Sequence, residues 1–375
     1  MLKIDGGLLE GGGQVVRVAL GLAAGLRRDI RVENIRGKRS VPGLRPQHVA
    51  SVKLVADLSS GAIDGCEVGS KEVSLSFPRE DTKQKSHYEA DAGTAGAVSL
   101  MAQAALPAAY LFPDTELRLR GGTNVSHSPN IDHVKLVLAP NLALLGLELE
   151  VDVLRRGWFP VGGGEAILRT RKTSSTDVDL SAAEATPLWI TGVVAFSNVP
   201  MEKIESLKEA LEAELERVFF ISSPTNVRLT IGESPNEGSQ RKKRRKIKAA
   251  VAIQLALRTS SGATIGADIL NEHAESIDDN MAADLVAILK DRSIHAGAGV
   301  DTQTADQLIV FAALRDGRTC FRCPTPTCQH LETSIHFTSL LTGVPFILSK
   351  EDNKTLVVDC PGRTMSEKND HSFQK

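Results

Sequence analysis

Two hydrophobic periods take turns along this chain, and their alternation constrains its fold class more than any other feature. Stretches of period two read as strands at Ile30–Ile35, Glu72–Phe77, Leu117–Arg120, Glu148–Val153 and Glu165–Arg171. Stretches with helical spacing or small-residue composition lie between them, at Gln47–Ser60, Ala92–Ala105 and Ile131–Leu145. In the first of these, Val49, Val52, Val55 and Ala56 share one face. A chain patterned this way is mixed α/β (α+β), and an all-helical bundle is excluded. Gly11–Arg17 has an echo in Gly162–Arg169, with Gly121–Val125 between them. With the repeated alternation, the echo predicts stacked copies of one α/β unit.

The rhythm breaks between residues 184 and 285. This stretch holds strands at Leu188–Phe196, Asn226–Ile231 and Ala249–Leu257, and a charged amphipathic helix at Met201–Phe219. A second helix, Ser276–Lys290, straddles its far boundary. The 375 residues suit two domains at roughly 100–200 residues each. We expect 184–285 to form a smaller inserted domain, with 1–183 and 286–375 forming the large one. The insert carries a basic run, Arg241–Lys246. Such a run is a solvated loop, a nuclear-import signal or an RNA contact. The tail after Pro361 is polar and expected to be disordered.

Hydrophobic residues make up 42% of the chain, enough for a sizeable core. The net charge of −2 argues against wholesale coating of nucleic acid and leaves room for a local basic groove. No apolar run approaches the ~18 residues of a membrane span, so no membrane partner is expected. The N-terminus turns polar at once, so no secretory leader is expected and the five cysteines are expected to be free thiols.

Four places have the makings of chemistry. In Leu9–Arg17, three glycines precede a helix, so backbone N–H groups can face an anion and Arg17 can pair with phosphate. A tight structural turn explains the same glycines. Arg36, Lys38, Arg39 and Arg45 crowd ten residues around Pro42 and Gly43. That loop either holds several phosphates or is simply solvated, and Gln47 and His48 at the next helix entrance favour a site. Asp306, before the apolar helix Leu308–Leu314, is placed to hold a divalent metal or to cap that helix. Cys320, Cys323, Cys328 and His330 span eleven residues and raise the question of zinc. Cys320 and Cys323 lie on a strand at Thr319–Cys323, where an i, i+3 pair points to opposite faces, so no zinc is expected. His330 instead opens a helical stretch to Leu341. A histidine in a first helical turn meets the positive end of the dipole, which keeps imidazole neutral and nucleophilic near pH 7. A capping or buried histidine fits the same position.

With these residues in hand, the chain resembles the RNA 3'-terminal phosphate cyclase family. The resemblance rests on Glu10–Arg17, Pro42–His48, Gly93–Gly96, Gly121–Asn124, Arg155–Glu165, Ala305–Leu308 and the His330 segment, in family order and with family-like spacing. It implies a large domain of three repeated α/β units with a smaller inserted α/β domain. It also implies an enzyme of the ligase class that converts an RNA 3'-terminal phosphate to a 2',3'-cyclic phosphate. ATP would be the co-substrate, a divalent metal (Mg or Mn) the cofactor, and His330 the carrier of AMP. By the same resemblance Glu10 and Asp306 fall near metal and nucleotide. Arg17, Arg39 and Gln47 match substrate- and phosphate-contacting positions, and Gln103 and Gln307 fall where the family contacts the nucleotide. Gln303 departs from the pattern, since many members have there an aromatic residue that stacks on adenine.

The alternatives are a non-catalytic cyclase-like RNA-binding protein of ribosome biogenesis and an enolpyruvyl transferase of similar repeated architecture. The first lacks the histidine, and the second needs none. The expected location is the nucleus, on the strength of Arg241–Lys246, with the cytoplasm left open beside it. The sequence leaves the oligomeric state open.

Overall fold

In the computed structural model, residues 1–77, 85–112, 114–174, 176–219, 226–232, 248–272, 280–325 and 328–363 are described. The basic run Arg241–Lys246 and the last twelve residues lie outside them. Three four-stranded sheets share one topology. The first unit runs β1 (Leu2–Asp5), α1 (Gly13–Leu26), β2 (Ile30–Glu33), α2 (Pro46–Ser59), β3 (Ala62–Asp64) and β4 (Val73–Ser76). Its sheet order is β1-β2-β4-β3, with β1 and β2 parallel and the other pairs antiparallel.

The second unit repeats this with β5 (His87–Asp91), α3 (Val98–Leu111), β6 (Thr115–Gly121), a helical segment, β7 (Leu147–Arg155) and β8 (Gly164–Lys172). That segment is α4 (Ile131–His133), a π-turn at Val134–Leu138 and α5 (Ala139–Leu144). The third unit has the order β9-β14-β16-β15, from β9 (Val178–Leu180), β14 (Thr319–Pro324), β15 (Ile347–Lys350) and β16 (Thr355–Cys360). The expected α/β architecture of three repeated units is present.

The echo that suggested the repeat does not carry it. Gly11–Arg17 joins β1 to α1, whereas Gly162–Arg169 closes the β7–β8 hairpin and continues into β8. The true counterpart of the first glycine loop is the β5–α3 connection with Gly93 and Gly96. That loop also delays α3, expected from Ala92, until Val98.

Between β9 and the third unit's first helix, the chain departs to build a fourth sheet. It comprises β10 (Pro187–Ser197), β11 (Val227–Gly232), β12 (Ala250–Thr259) and β13 (Thr264–Asn271), in the order β11-β10-β12-β13. Helices α6 (Met201–Phe219) and α7 (Met281–Ala296) pack with it. In α6 the buried residues are Ile204, Leu207, Leu211 and Leu215, an apolar stripe on an otherwise charged helix. This sheet and its helices enclose their own apolar cluster, which runs from Ile190 to Ala296. The second helix, expected at Ser276–Lys290, is Met281–Ala296 and contributes Ala296 to that cluster, while residues 276–279 of the expectation lie outside those described.

The helices of the three repeated units share a single core. They are α1, α2, α3, the α4–α5 segment, α8 (Thr302–Leu314) and α9 (Gln329–Thr342). Contact between α1 and α3 is close because a Cβ at Gly21 would lie 2.4 Å from the Ala104 carbonyl oxygen. Among the described residues no helix is long and apolar enough to cross a membrane.

Candidate active site

The first turns of several helices from all three units face one cleft of about 710 Å3. It is lined by Gln14 and Arg17 of α1, Gln47 and His48 of α2, and Gln103 of α3. Gln303, Asp306 and Gln307 of α8 and His330 of α9 complete the helical wall, and Glu10, Arg36 and Arg39 come from loops. Glu10, Arg17, Arg39, Gln47, Gln103, Gln303, Asp306, Gln307 and His330, the nine positions discussed with the resemblance, therefore all line this cleft, whereas Lys38 and Arg45 do not. Helix N-termini present unsatisfied N–H groups and partial positive charge, so their convergence favours an anionic ligand.

The glycine triplet works differently from a simple phosphate cradle. Gly11 N–H donates to the Leu8 carbonyl, and Gly12 N–H donates to Glu10 Oε2 at 2.7 Å. Two of the loop's donors are thus used within the loop and Glu10 N–H donates to Thr333 Oγ1, while the missing side chains make room for others. A Cβ on Gly12 would lie 2.2 Å from Glu10 Oε1, and one on Gly13 would lie 2.4 Å from His48 Nε2 and 2.8 Å from Arg17 Nη1. Gly13→Ala should therefore push His48 and Arg17 aside and destabilise the fold by about 1–3 kcal/mol. Chemical denaturation of the variant checks this, and an unchanged midpoint would contradict it.

The basic loop divides its cations by task. Arg36 donates to the carbonyls of Val41 and Gly43, and Lys38 to that of Leu9, so both staple the loop. Arg39 pairs with the buried Glu10. Of the four cations in the loop, Arg36 and Arg39 line the cleft, and Arg36 and Lys38 also hold backbone. Arg17 is buried and donates from Nε to Gln103 Oε1 at 2.8 Å. Burial lowers its pKa to about 10 against the pull of Glu10 and Asp306, so it stays charged at neutral pH. Gln47 accepts weakly from Ala97 N–H at 3.4 Å, and its buried Nε2 has no partner among the described residues. An orphaned donor beside arginines suits a phosphate oxygen.

His48 Nδ1 accepts from Arg45 N–H at 3.0 Å, which leaves the proton of the neutral ring on Nε2. Burial, then Arg17, Arg36 and Arg45, push its pKa down to about 3, so it is a neutral donor. Helix α8 begins at Thr302, six residues earlier than its apolar stretch suggested, because its first turns face the cleft. Its cap is Asp301, which accepts from Thr304 N–H and from Gly266 N–H of β13 at 2.8 Å each. Asp306 is therefore free of capping. Burial pushes its carboxyl up to about 7, with Asp301 adding to the rise while Arg17 and a hydrogen bond from Gln14 oppose it.

His330 follows the first residue of α9 and is exposed within the cleft. Its pKa is lowered, first by partial burial and then by Arg17 and Arg39, against Glu10. Its Nδ1 lies 2.5 Å from Gln14 Oε1. Gln14 was not assigned a role from the sequence. It is one more polar residue in a helix's first turn, and only the packing of three helices shows what it touches. His127, at φ +61° in the loop after β6, also lines the cleft unannounced.

Other motifs serve the scaffold. Arg156 makes a two-pronged pair with Asp132 at 2.6 and 3.0 Å, and Glu165 accepts from Arg118 and Arg120. Cys320 and Cys323 are buried on β14, and burial raises both thiol pKa values. Among the described residues no group of three or more His, Cys, Asp or Glu is arranged to hold a metal.

A family model described as RNA 3'-terminal phosphate cyclase matches residues 8–348. The RNA 3'-terminal phosphate cyclase of Caldivirga maquilingensis is 35% identical over 345 residues, 91% of this chain and 92% of that protein. That of Pyrobaculum aerophilum is 30% identical over 366 residues, 96% and 99% of the two chains. The probable RNA 3'-terminal phosphate cyclase of Dictyostelium discoideum is 29% identical over 361 residues, 94% and 79%. A match that runs through all three units and every cleft-lining segment makes this chain a member of the RNA 3'-terminal phosphate cyclase family.

Proposed function

We propose that this chain converts an RNA 3'-terminal phosphate to a 2',3'-cyclic phosphate at the expense of ATP, with AMP carried on His330. The observation that carries this reading is an accessible imidazole, held near neutrality, in a cleft that also contains Arg17, Arg39 and a charge-starved Asp306. In the first step a ring nitrogen of His330 attacks the α-phosphorus of ATP. A P–N bond forms, the bond to the β-phosphate's bridging oxygen breaks, and pyrophosphate leaves. An oxygen of the RNA 3'-phosphate then attacks the same phosphorus and frees the histidine. Last, the neighbouring 2'-hydroxyl loses its proton, attacks the RNA phosphorus and expels AMP. Arg17 and Arg39 would offset the charge gathered where two phosphates meet. Gln47, Gln103, Gln303 and Gln307 would orient the nucleotide and RNA ends. Adenine stacking is not part of the reading, since position 303 carries an amide.

Glu10 and Asp306 would hold a divalent cation. The fit is supported by a buried carboxyl pushed up to about 7, which a cation would relieve, and by a second buried carboxylate, that of Glu10 paired with Arg39, lining the same cleft. Mg commonly takes one or two carboxylates and fills its shell with phosphate oxygens and water. When bound, such an ion neutralises phosphate charge.

Incubation with ATP, divalent metal and an oligoribonucleotide ending in 3'-phosphate tests the reading. The expected product resists phosphatase and carries a cyclic terminus. An unaltered RNA end would overturn it and favour the non-catalytic RNA-binding alternative. Nuclear residence belongs to the same proposal. Neutral replacements throughout Arg241–Lys246 should shift a tagged protein toward the cytoplasm, and an unchanged distribution would remove that part.

A further inference from the structure

We propose that Gln14 is a positioning residue that holds His330 in the tautomer whose Nε2 carries the lone pair. The inference rests on the reading of His330 as the AMP carrier and assigns the residue that orients its ring. Gln14 is 1% exposed and sits in the first turn of α1. Its Nε2 donates to Ser334 Oγ at 3.0 Å and to Asp306 Oδ2 at 3.3 Å. Both N–H groups of the amide are thereby engaged. The carbonyl oxygen is left to face the remaining side, where His330 Nδ1 lies at 2.5 Å.

An amide oxygen only accepts, so this contact is a hydrogen bond only when Nδ1 holds the proton. Neutral imidazole has one N–H, which leaves Nε2 unprotonated. Among the described residues no hydrogen bond is recorded at Nε2, and the ring is exposed in the cleft. Ser334 lies one helical turn beyond His330 on α9, so the amide is clamped by three helices, α1, α8 and α9. The clamp sets the direction of the amide, the amide sets the proton, and the proton sets which nitrogen is nucleophilic. It also fixes the plane of the ring. Without it, neutral imidazole divides between two tautomers and turns about its side-chain bonds.

Gln14→Met keeps the length of the side chain and removes its donors and its acceptor. The full chain, labelled with 15N-histidine at pH 8, gives ring-nitrogen resonances that distinguish the tautomers, and His330→Asn identifies which signals belong to His330. The expected result is Nδ1–H in the unmodified protein and a shift toward Nε2–H in Gln14→Met. Single-turnover AMP attachment should fall on the order of 10–100-fold in Gln14→Met, as expected for loss of oriented attack, with ATP affinity kept. Ser334→Ala, which leaves Asp306 to hold the amide, should retain Nδ1–H. An Nε2–H tautomer in the unmodified protein would overturn the inference. So would a Gln14→Met protein that melts normally and keeps both tautomer and rate. Failure of the unmodified protein to take up AMP while showing Nδ1–H would instead overturn the catalytic reading and support the tautomer assignment.

Discussion

His330→Asn should lose AMP attachment by roughly 10⁴–10⁶-fold, the scale seen when a catalytic nucleophile is removed. Asparagine keeps a polar side chain near Gln14 and has no nitrogen lone pair able to attack phosphorus. The exposed position means that the fold should survive, with a stability change within about 0.5 kcal/mol. The measurement is protein-bound label after incubation with α-phosphate-labelled ATP and a divalent metal. His336→Ala is the control. His336 lies six residues further along α9, with its ring against Phe337 at 4.9 Å, and its loss should leave at least part of the labelling. The pH dependence has a definite sign. Burial and two arginines hold the His330 pKa below 6.5, so the ring is neutral at pH 7. Labelling should persist as pH falls past 6.5 and decline only as the lowered pKa is crossed. Label on His330→Asn would reject His330 as the nucleophile. No label on the unmodified protein with any metal would reject the catalytic reading.

The legibility of this molecule follows from where its signals are local. Met201–Phe219 could be read to the residue because a surface helix writes its buried stripe at a fixed spacing. Arg17 and His330 were legible because each stands near a helix entrance, whereas Glu10, Gln103, Gln303 and Gln307 were marked only by the resemblance to the family. What was missed depends on partners remote in sequence. Strand β13 is interrupted by Gly266 and Asp268, and it exists through its pairing with β12 and its tie to Asp301. The start of α8 was placed too late because its first turns are polar for the sake of the cleft rather than for lack of helix. Gly162–Arg169 resembled Gly11–Arg17 only as a string, since hairpins and strand-to-helix turns both need glycine. Gln14 is the clearest case. Its neighbours in sequence say nothing of Asp306, Ser334 and His330, the three groups that give it a task.

Asp306→Asn should separate the electrostatic cost of the site from its use. The Asp306 carboxyl has a folded pKa pushed up to about 7, chiefly by burial, against roughly 3.9 in the unfolded chain. Below ~4 both states are protonated, and this group favours folding to its full extent. Between ~4 and ~7 the unfolded chain ionises first, so stability is lost as pH rises, at about 1.4 kcal/mol per unit. Asparagine keeps the shape and cannot ionise. The variant should therefore gain stability relative to the unmodified protein across that window, by on the order of 3–4 kcal/mol, and hold the gain above pH 7. Comparing the two proteins at each pH cancels the opposite trend from His48 and His330, whose lowered pKa values make acid destabilising below ~6.5 in both. Divalent cation should raise the melting temperature of the unmodified protein at pH 8, where the carboxylate is ionised and buried, and should do so much less for the variant. AMP attachment should fall by roughly 10²-fold or more, because the charge that steadies the phosphates is gone. A stability difference that does not change between pH 4 and 8 would show that Asp306 is not strained by burial. A melting shift with metal that survives in Asp306→Asn would place the cation on other ligands.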